Sequence, residues 1–574
     1  MNIMKTYKLF SALAAAALLC FSSCYDLERF PADQLSSGTF FKTQDHADQA
    51  MMAVYNNLQY DNAFGLQFAM DGLGGIAMGY DNPSYQVFQR GIYDVKNSWV
   101  KNKWIYLYEG VTRANIVLQN IDNVDMSDEL KARYKGEAKF LRALHYFALK
   151  NFFGGVPLYD ESFIVGENFN DMNLPRESEE NIRKFILDDL DAAIASLPAQ
   201  WDDANKGRAT SGAAMALKGK VLLFNKQYDQ AKTCFENVKN SKQYALYDNY
   251  AELFKPGGDE SSEMIFAIQN MGGVGTDLGM PMTFYMGTRA SFGSCWNNVM
   301  AATDFVDTYE YKDGRPFDWE EFAPGFTTDD KVKQEVFRST LDKAKTKVEA
   351  YTPYKERLLA MYEQRDPRMT YSIIMPYTQY KGWYKNAPHD CEYVVVFNGV
   401  NDGHHMIRVN GNYETYIWRK FVAEYNMDGA INNRADTPIN FPLIRYADVL
   451  LMLAECYNEL GDQEEAVRLI NEVRARPSVN MPGLNSGPEW LKATTKDEVF
   501  ARIRHERAVE LAGEGLSFDD MRRWGLLETL NGRQEKDITG KVRYTRSVSK
   551  RDYLWPIPAD EIEKNPALEQ NPSW

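Results

Sequence analysis

Few stretches of this 574-residue chain place reactive side chains at a spacing that supports bond-making chemistry. His505 and Glu506 begin as a zinc-peptidase helix does, but the second ligand of H-E-x-x-H is replaced by Val509. Glu506 and Glu510 share a helix face at i, i+4, and Arg502, Arg507, Arg522 and Arg523 lie near them in sequence. A structural salt-bridge network is the expected use of that pair. His404 and His405 are adjacent, so on a strand they would point to opposite faces and share no metal. Gly273, Gly275 and Gly279 give a G-x-G-x-x-x-G run, one residue too long for a dinucleotide fingerprint. Asp313, Glu320 and Glu321 would have to converge within several ångström to act as a glycosidase pair, which proximity in sequence does not ensure. The expectation is a protein without a catalytic residue, a metal site or a cofactor. Aromatic side chains are the richer signal: 34 Tyr, 31 Phe and 11 Trp supply flat surfaces for stacking.

The elements that must position these rings are mostly helical. Ala47, Ala50, Met51, Val54, Tyr55 and Leu58 recur with the period of one buried helix face. Further helices are predicted over residues 103–121, 129–152 and 179–197, the last stopped by Pro198. A compact pair covers 211–224 and 228–238. A second pair spans 445–460 and 462–476, divided by Gly461, and Thr495 with Glu498 opens another helix. Helix pairs with short turns suggest a mainly α, tetratricopeptide-like scaffold built from both ends of the chain. Residues 24–240 form its first part and 441–574 complete it. Residues 241–440, rich in Gly, Asn, Tyr and Trp, read as a loop-rich insert with short strands such as Met264–Gln269 and Tyr393–Phe397.

The N-terminus and the charge add further limits. Lys5 and Lys8 precede an apolar run, Leu9–Phe21, and then Ser22, Ser23 and Cys24. This is a secretory signal pattern over residues 1–23 with a lipoprotein-type ending, so Cys24 is the expected acylated residue. The net charge is −15, and it becomes −17 once Lys5 and Lys8 leave with the signal. That charge argues against nucleic acid as a partner. No later segment reaches the roughly 18 apolar residues of a membrane span.

Several blocks of the chain stand out as signatures. One runs from Gly136-Glu137-Ala138-Lys139-Phe140-Leu141-Arg142-Ala143 to Phe153-Gly154-Gly155-Val156-Pro157-Leu158. A second is Pro442-Leu443-Ile444-Arg445-Tyr446-Ala447-Asp448-Val449-Leu450-Leu451, followed by Asn471-Glu472-Val473-Arg474-Ala475-Arg476. A third is Glu506-Arg507-Ala508-Val509-Glu510-Leu511 with Phe518-Asp519-Asp520 and Arg522-Arg523-Trp524, and the tail around Tyr553-Leu554-Trp555-Pro556 agrees. Together these blocks resemble the SusD/RagB family of surface nutrient-binding lipoproteins. The resemblance implies a SusD-like helical scaffold, a position on the outer membrane facing outward through the lipid anchor, and a SusC-like TonB-dependent barrel transporter as partner. It also implies a glycan ligand without catalysis. Capture of peptides is the alternative within the family, and a surface glycoside hydrolase the alternative outside it.

Sugars present flat C–H faces and a rim of hydroxyls, which exposed rings and amides bind. Trp99 lies in the Asn/Lys-rich run 96–103, where Asn97 and Asn102 could supply hydrogen bonds. Tyr80, Asp81, Asn82 and Tyr85 form a second loop of that chemistry. Trp296, Asn297 and Asn298, then Trp319, flank the Asp313-Gly314-Arg315-Pro316 turn, in the general region where the family places sugar-binding aromatics. Trp383 with Tyr380 and Tyr384 is the last candidate. Trp104, Trp418, Trp524 and Trp555 fall in regular patterns or family blocks and are expected in the core.

Overall fold

The computed structural model describes residues 40–80, 85–164, 172–271, 279–396 and 414–574. Cys24, Asp81, Asn82, Gly273, Gly275, His404 and His405 lie outside the described residues.

The long helices form where capping residues precede apolar periodicity. They are α1 (Gln44–Asn56), α2 (Ser98–Asn120), α3 (Asp128–Phe153), α4 (Glu179–Ser196), α5 (Ser211–Phe224), α6 (Tyr228–Asn240), α7 (Tyr446–Glu459), α8 (Gln463–Arg474) and α9 (Lys496–Glu510). The Thr43, Asn97, Ser127, Ser178, Thr210, Asp462 and Thr495 side chains each accept a backbone N–H at the start of the helix they precede. These bonds satisfy donors that the first turn leaves without a partner. Thr495 and Glu498 close a full capping box. α1 buries Ala47, Met51 and Val54, one stripe of its surface.

Successive helices from α1 to α6 pack as neighbours, and α7 continues the stack by lying against α6 before packing on α8 and α9. The scaffold is therefore mainly α and is assembled from both ends of the chain, as the helix pairs suggested. Strands are short and pair in twos among the described residues. Those that matter here are β1 (Ala77–Gly79), β2 (Met264–Ile268), β3 (Val299–Ala301), β4 (Gln379–Tyr384), β5 (Ala387–Glu392) and β6 (Phe441–Arg445). β2 pairs antiparallel with β6, setting Phe441 opposite Ile268. The chain between them thus leaves and returns to the scaffold through one ladder.

A buried ionic lattice fastens that intervening chain to the helices. Arg445 at the end of β6 binds Glu263, Glu510 and Glu514; Arg476 binds Glu263 and Glu510. Arg368, from the intervening chain, binds Asp366, Glu506 and Glu510. All these side chains are essentially inaccessible to water. Each guanidinium meets two or more carboxylates, the condition under which attraction and hydrogen bonding offset the desolvation of buried charge.

Candidate functional site

The lattice settles the chemistry of α9. Glu506 and Glu510 form no open acid pair; they are acceptors for Arg368, Arg445, Arg474 and Arg476. Burial raises the Glu510 pKa, but Arg476, Arg445 and Arg368 outweigh it and hold the carboxyl far below the usual carboxylate range. The other acidic group is also engaged. Glu320 accepts from the Gly325 and Thr327 amides, and Glu321 pairs with Arg315. No group of three or more His, Cys, Asp or Glu side chains suited to a metal ion occurs among the described residues.

A groove of about 1000 Å³ lies beside α1 and α2, lined by Phe40, Trp104, Tyr108, Ile116, Phe163 and Leu568 among others. Its polar groups are largely consumed within the protein. The Asn115 amide donates to the Tyr159 carbonyl and accepts from Arg142, the Gln119 amide donates to the Glu161 and Phe163 carbonyls, and the Tyr108 hydroxyl donates to Pro157. Such a wall offers apolar contact and few hydrogen bonds to a hydroxyl-rich ligand.

A different region collects exposed rings. Trp296 is 37% exposed, and its ring lies 4.6 Å from that of Phe284, which lies 4.8 Å from Tyr285. The loop beneath is tied down at several points. The Trp296 N–H donates to the Phe284 carbonyl and the Cys295 N–H to that of Thr288; Ser291 Oγ meets the Tyr380 hydroxyl at 2.8 Å. Gly293 adopts φ +73°, and a Cβ there would lie 2.8 Å from the Arg434 Cβ, so this close approach needs glycine. Arg434 Nη1 donates to the Gly293 and Ser294 carbonyls, and its guanidinium sits 4.5 Å from the Phe284 ring centre and 5.7 Å from that of Trp296. Burial pushes the Cys295 thiol up to about 12 against the opposing pull of Arg434 and Arg289, so it stays protonated and unreactive.

The β4–β5 hairpin joins this loop. Tyr384 pairs with Ala387 across a two-residue turn in which Lys385 and Asn386 both have positive φ, the geometry of a type I′ hairpin. The Trp383 N–H donates to the Ala290 carbonyl at 2.7 Å, and its ring lies 5.4 Å from Phe292. Trp383 of the hairpin, half-exposed, is thus tied to the loop that carries the exposed Trp296. β1 pairs with β3, and the Tyr80 N–H continues the ladder to the Asn298 carbonyl, two residues from Trp296.

Other predicted residues fall elsewhere. Trp99 is half-buried at the start of α2, its ring 5.5 Å from Tyr85, and Asn102 is half-buried one turn on. The Asn97 side-chain oxygen caps α2 through the Trp99 and Val100 amides, which takes up its acceptor. Three expectations of exposure are corrected. Tyr85 is 1% exposed, packed between Phe88, Trp99 and Trp555. Trp319 is 6% exposed, stacked on Phe326 at 4.0 Å inside a cluster of phenylalanines. Asn297 is fully buried at φ +53°, and neither its amide nor that of Asn298 has a hydrogen-bond partner. The two rings are covered by other aromatic side chains, which the local pattern around each does not reveal. Trp104, Trp418 and Trp555 are buried as expected, and Trp524 is half-buried. Sequence reasoning missed Phe284, Tyr285, Phe292 and Arg434. The adjacent rings Phe284-Tyr285 were a usable signal; the approach of Arg434 to Trp296, far apart in the chain, was not.

The SusD family model matches residues 262–574, more than half of the chain. This chain is a member of the SusD family. A second model, described as starch-binding associating with outer membrane, matches residues 27–223. The SusD-like protein P25 of Formosa agariphila is 27% identical, with 96% of this chain and 95% of that protein aligned. The starch-binding protein SusD of Bacteroides thetaiotaomicron is 25% identical, with 82% and 78% aligned. Among solved structures, a SusD-like protein from Bacteroides fragilis superposes with a TM-score of 0.74 at 23% identity, covering 95% of this chain and all of that one. A laminarin-binding SusD-like protein gives 0.63 at 22%, covering 93% of this chain and all of that one. These likenesses show the SusD-like fold.

Proposed function

We propose that this SusD-family protein is a non-catalytic glycan-binding protein, with Trp296 as the centre of its binding face. The exposed Trp296 ring, fixed over Phe284 on a loop anchored by backbone hydrogen bonds, carries this reading. A ring held in place loses little conformational freedom when a sugar face stacks on it. Trp383 widens the platform. Tyr80 lies beside it on the β1 side, and its Cα lies within about 18 Å of the Tyr85 Cα, the fully extended reach of five residues. In this reading Trp99, packed on Tyr85, extends the face, with Asn102 as a hydrogen-bonding neighbour. Starch and laminarin binding by relatives supports the ligand class.

In this reading residues 1–23 are a cleaved signal, Cys24 carries a lipid, and the protein sits on the outer membrane facing outward. Residues 24–574 act as one unit, 241–440 supplying most of the binding face between the helical parts 24–240 and 441–574. It hands its ligand to a SusC-like TonB-dependent transporter. The test is calorimetric titration of soluble protein starting at Tyr25 with polysaccharides and with peptide mixtures, alongside Trp296→Ala. Glycan binding lost in the variant is the expected result. Heat only from peptides moves the assignment to peptide capture, and turnover of a bound polymer moves it to hydrolysis.

A further inference from the structure

Arg434 sets a property of the binding face that rings alone do not. Its guanidinium lies over Phe284 and Trp296, and one nitrogen, Nη1, is spent on two carbonyls of the Trp296 loop. The Nε–Nη2 edge donates to no described residue, and Arg434 forms no ion pair with any of them. The carboxylates on neighbouring segments are already engaged. Glu424 is met by Arg419 at 3.1 Å, Lys255 at 3.6 Å and Lys381 at 3.9 Å. Asp390 accepts from the Tyr425 hydroxyl and Asp436 from the Asn433 amide at 3.0 Å. Lys385 stands exposed at the tip of the neighbouring hairpin, 5.3 Å from the Tyr384 ring.

This guanidinium without an ion pair sits on a chain whose net charge is −15. A guanidinium edge is a planar pair of donors matched to two oxygens of one carboxylate or sulfate. Its guanidinium lies 5.7 Å from the Trp296 ring centre, within reach of a substituent on a sugar stacked there.

Resting on the glycan reading above, we propose that the face selects acidic glycans, whose carboxylate or sulfate group binds the Nε–Nη2 edge of Arg434 while the sugar stacks on Trp296.

The experiment compares matched probes: polygalacturonate with its fully methyl-esterified form, and dextran sulfate with dextran. Each is titrated against the soluble full mature chain and against Arg434→Gln, Arg434→Lys and Trp296→Ala, at low and high salt. The expected result is that at least one acidic probe binds about tenfold or more tighter than its neutral partner, with Arg434→Gln removing that preference. Arg434→Lys retains the charge but not the planar edge, so it keeps only part of the preference. Trp296→Ala weakens acidic and neutral probes alike. Equal binding of both members of each pair by the native chain overturns the proposal and leaves the glycan reading standing. So does a preference for acidic probes that persists in Arg434→Gln, which marks diffuse attraction. Thermal unfolding of each variant guards against misfolding; if Arg434→Gln unfolds early, Arg434→Lys and the salt dependence of the native chain decide. Binding of no glycan by the native chain overturns both readings.

Discussion

Two regions of this protein bring arginine and aromatic or acidic side chains together, and they use them in opposite ways. Around Glu510 every guanidinium is matched by carboxylates and sealed from water. Around Trp296 the rings stand partly in solvent, and the one arginine at their centre has its charge unmatched by contact. The first arrangement consumes its hydrogen-bonding capacity in holding the fold. The second leaves capacity for a ligand. Saturation, more than residue type, separates structural chemistry from functional chemistry here.

The sharpest way to break the contrast is Glu510→Gln. It strips the carboxylate from a site facing Arg368, Arg445 and Arg476, leaving buried positive charge uncompensated. A destabilisation of about 3–5 kcal/mol is expected, read from the urea midpoint. Glycan affinity measured where the variant is still folded should be unchanged. The pH dependence follows from the lowered pKa. Its stabilisation is fully present above the unfolded carboxyl pKa of about 4.3 and is lost as pH falls below it toward the folded value. Glu510→Gln therefore shows a shallower loss of stability than the native chain below about pH 4.3, measured by thermal melting across a pH series.

Trp296→Ala tests the other region and should reverse the pattern. Loss of the exposed platform costs about 2 kcal/mol of glycan affinity, while stability moves within about 0.5 kcal/mol. A melting temperature that drops sharply would place Trp296 with the structural rings such as Trp319. Gly293→Ala is intermediate: positive φ and the approach to Arg434 cost about 1–2 kcal/mol of stability. Affinity should fall with it, because the loop positions both the ring and the guanidinium.

The same contrast marks how far the sequence could be read. Helices, caps and the family blocks were legible because they depend on neighbours three or four residues apart, as with Thr495 and Glu498. That Glu506 and Glu510 serve an ionic network was legible, but their partners were not. Arg502, Arg507, Arg522 and Arg523 pair with other carboxylates, and Arg368, Arg445, Arg474 and Arg476 fill the role. The proposed binding face was only partly legible. Trp296 and Trp383 lie in segments that looked like loops, and they remain accessible. Trp319 and Tyr85 lie in similar segments, yet Phe326 and Trp555 cover them. Whether a loop ring is covered depends on how the chain closes over it, by a near neighbour such as Phe326 for Trp319 or by a residue 470 positions away such as Trp555 for Tyr85.

Trp99 sharpens the comparison most finely, because it belongs half to each kind of region. One face packs on buried Tyr85, and the residue remains half-exposed at the start of α2. If the face extends from Trp296 past Tyr80 to Trp99, the two rings serve different sugars of one chain. Trp99→Ala should then leave the affinity for a disaccharide unchanged and weaken a long oligosaccharide by about 1 kcal/mol, with a stability loss of about the same size from the broken contact with Tyr85. Titration with ligands of increasing length reads this directly. Equal loss for short and long ligands would mean that Trp99 acts on the Trp296 platform through the fold. No loss at any length would confine the binding face to Trp296 and the β4–β5 hairpin.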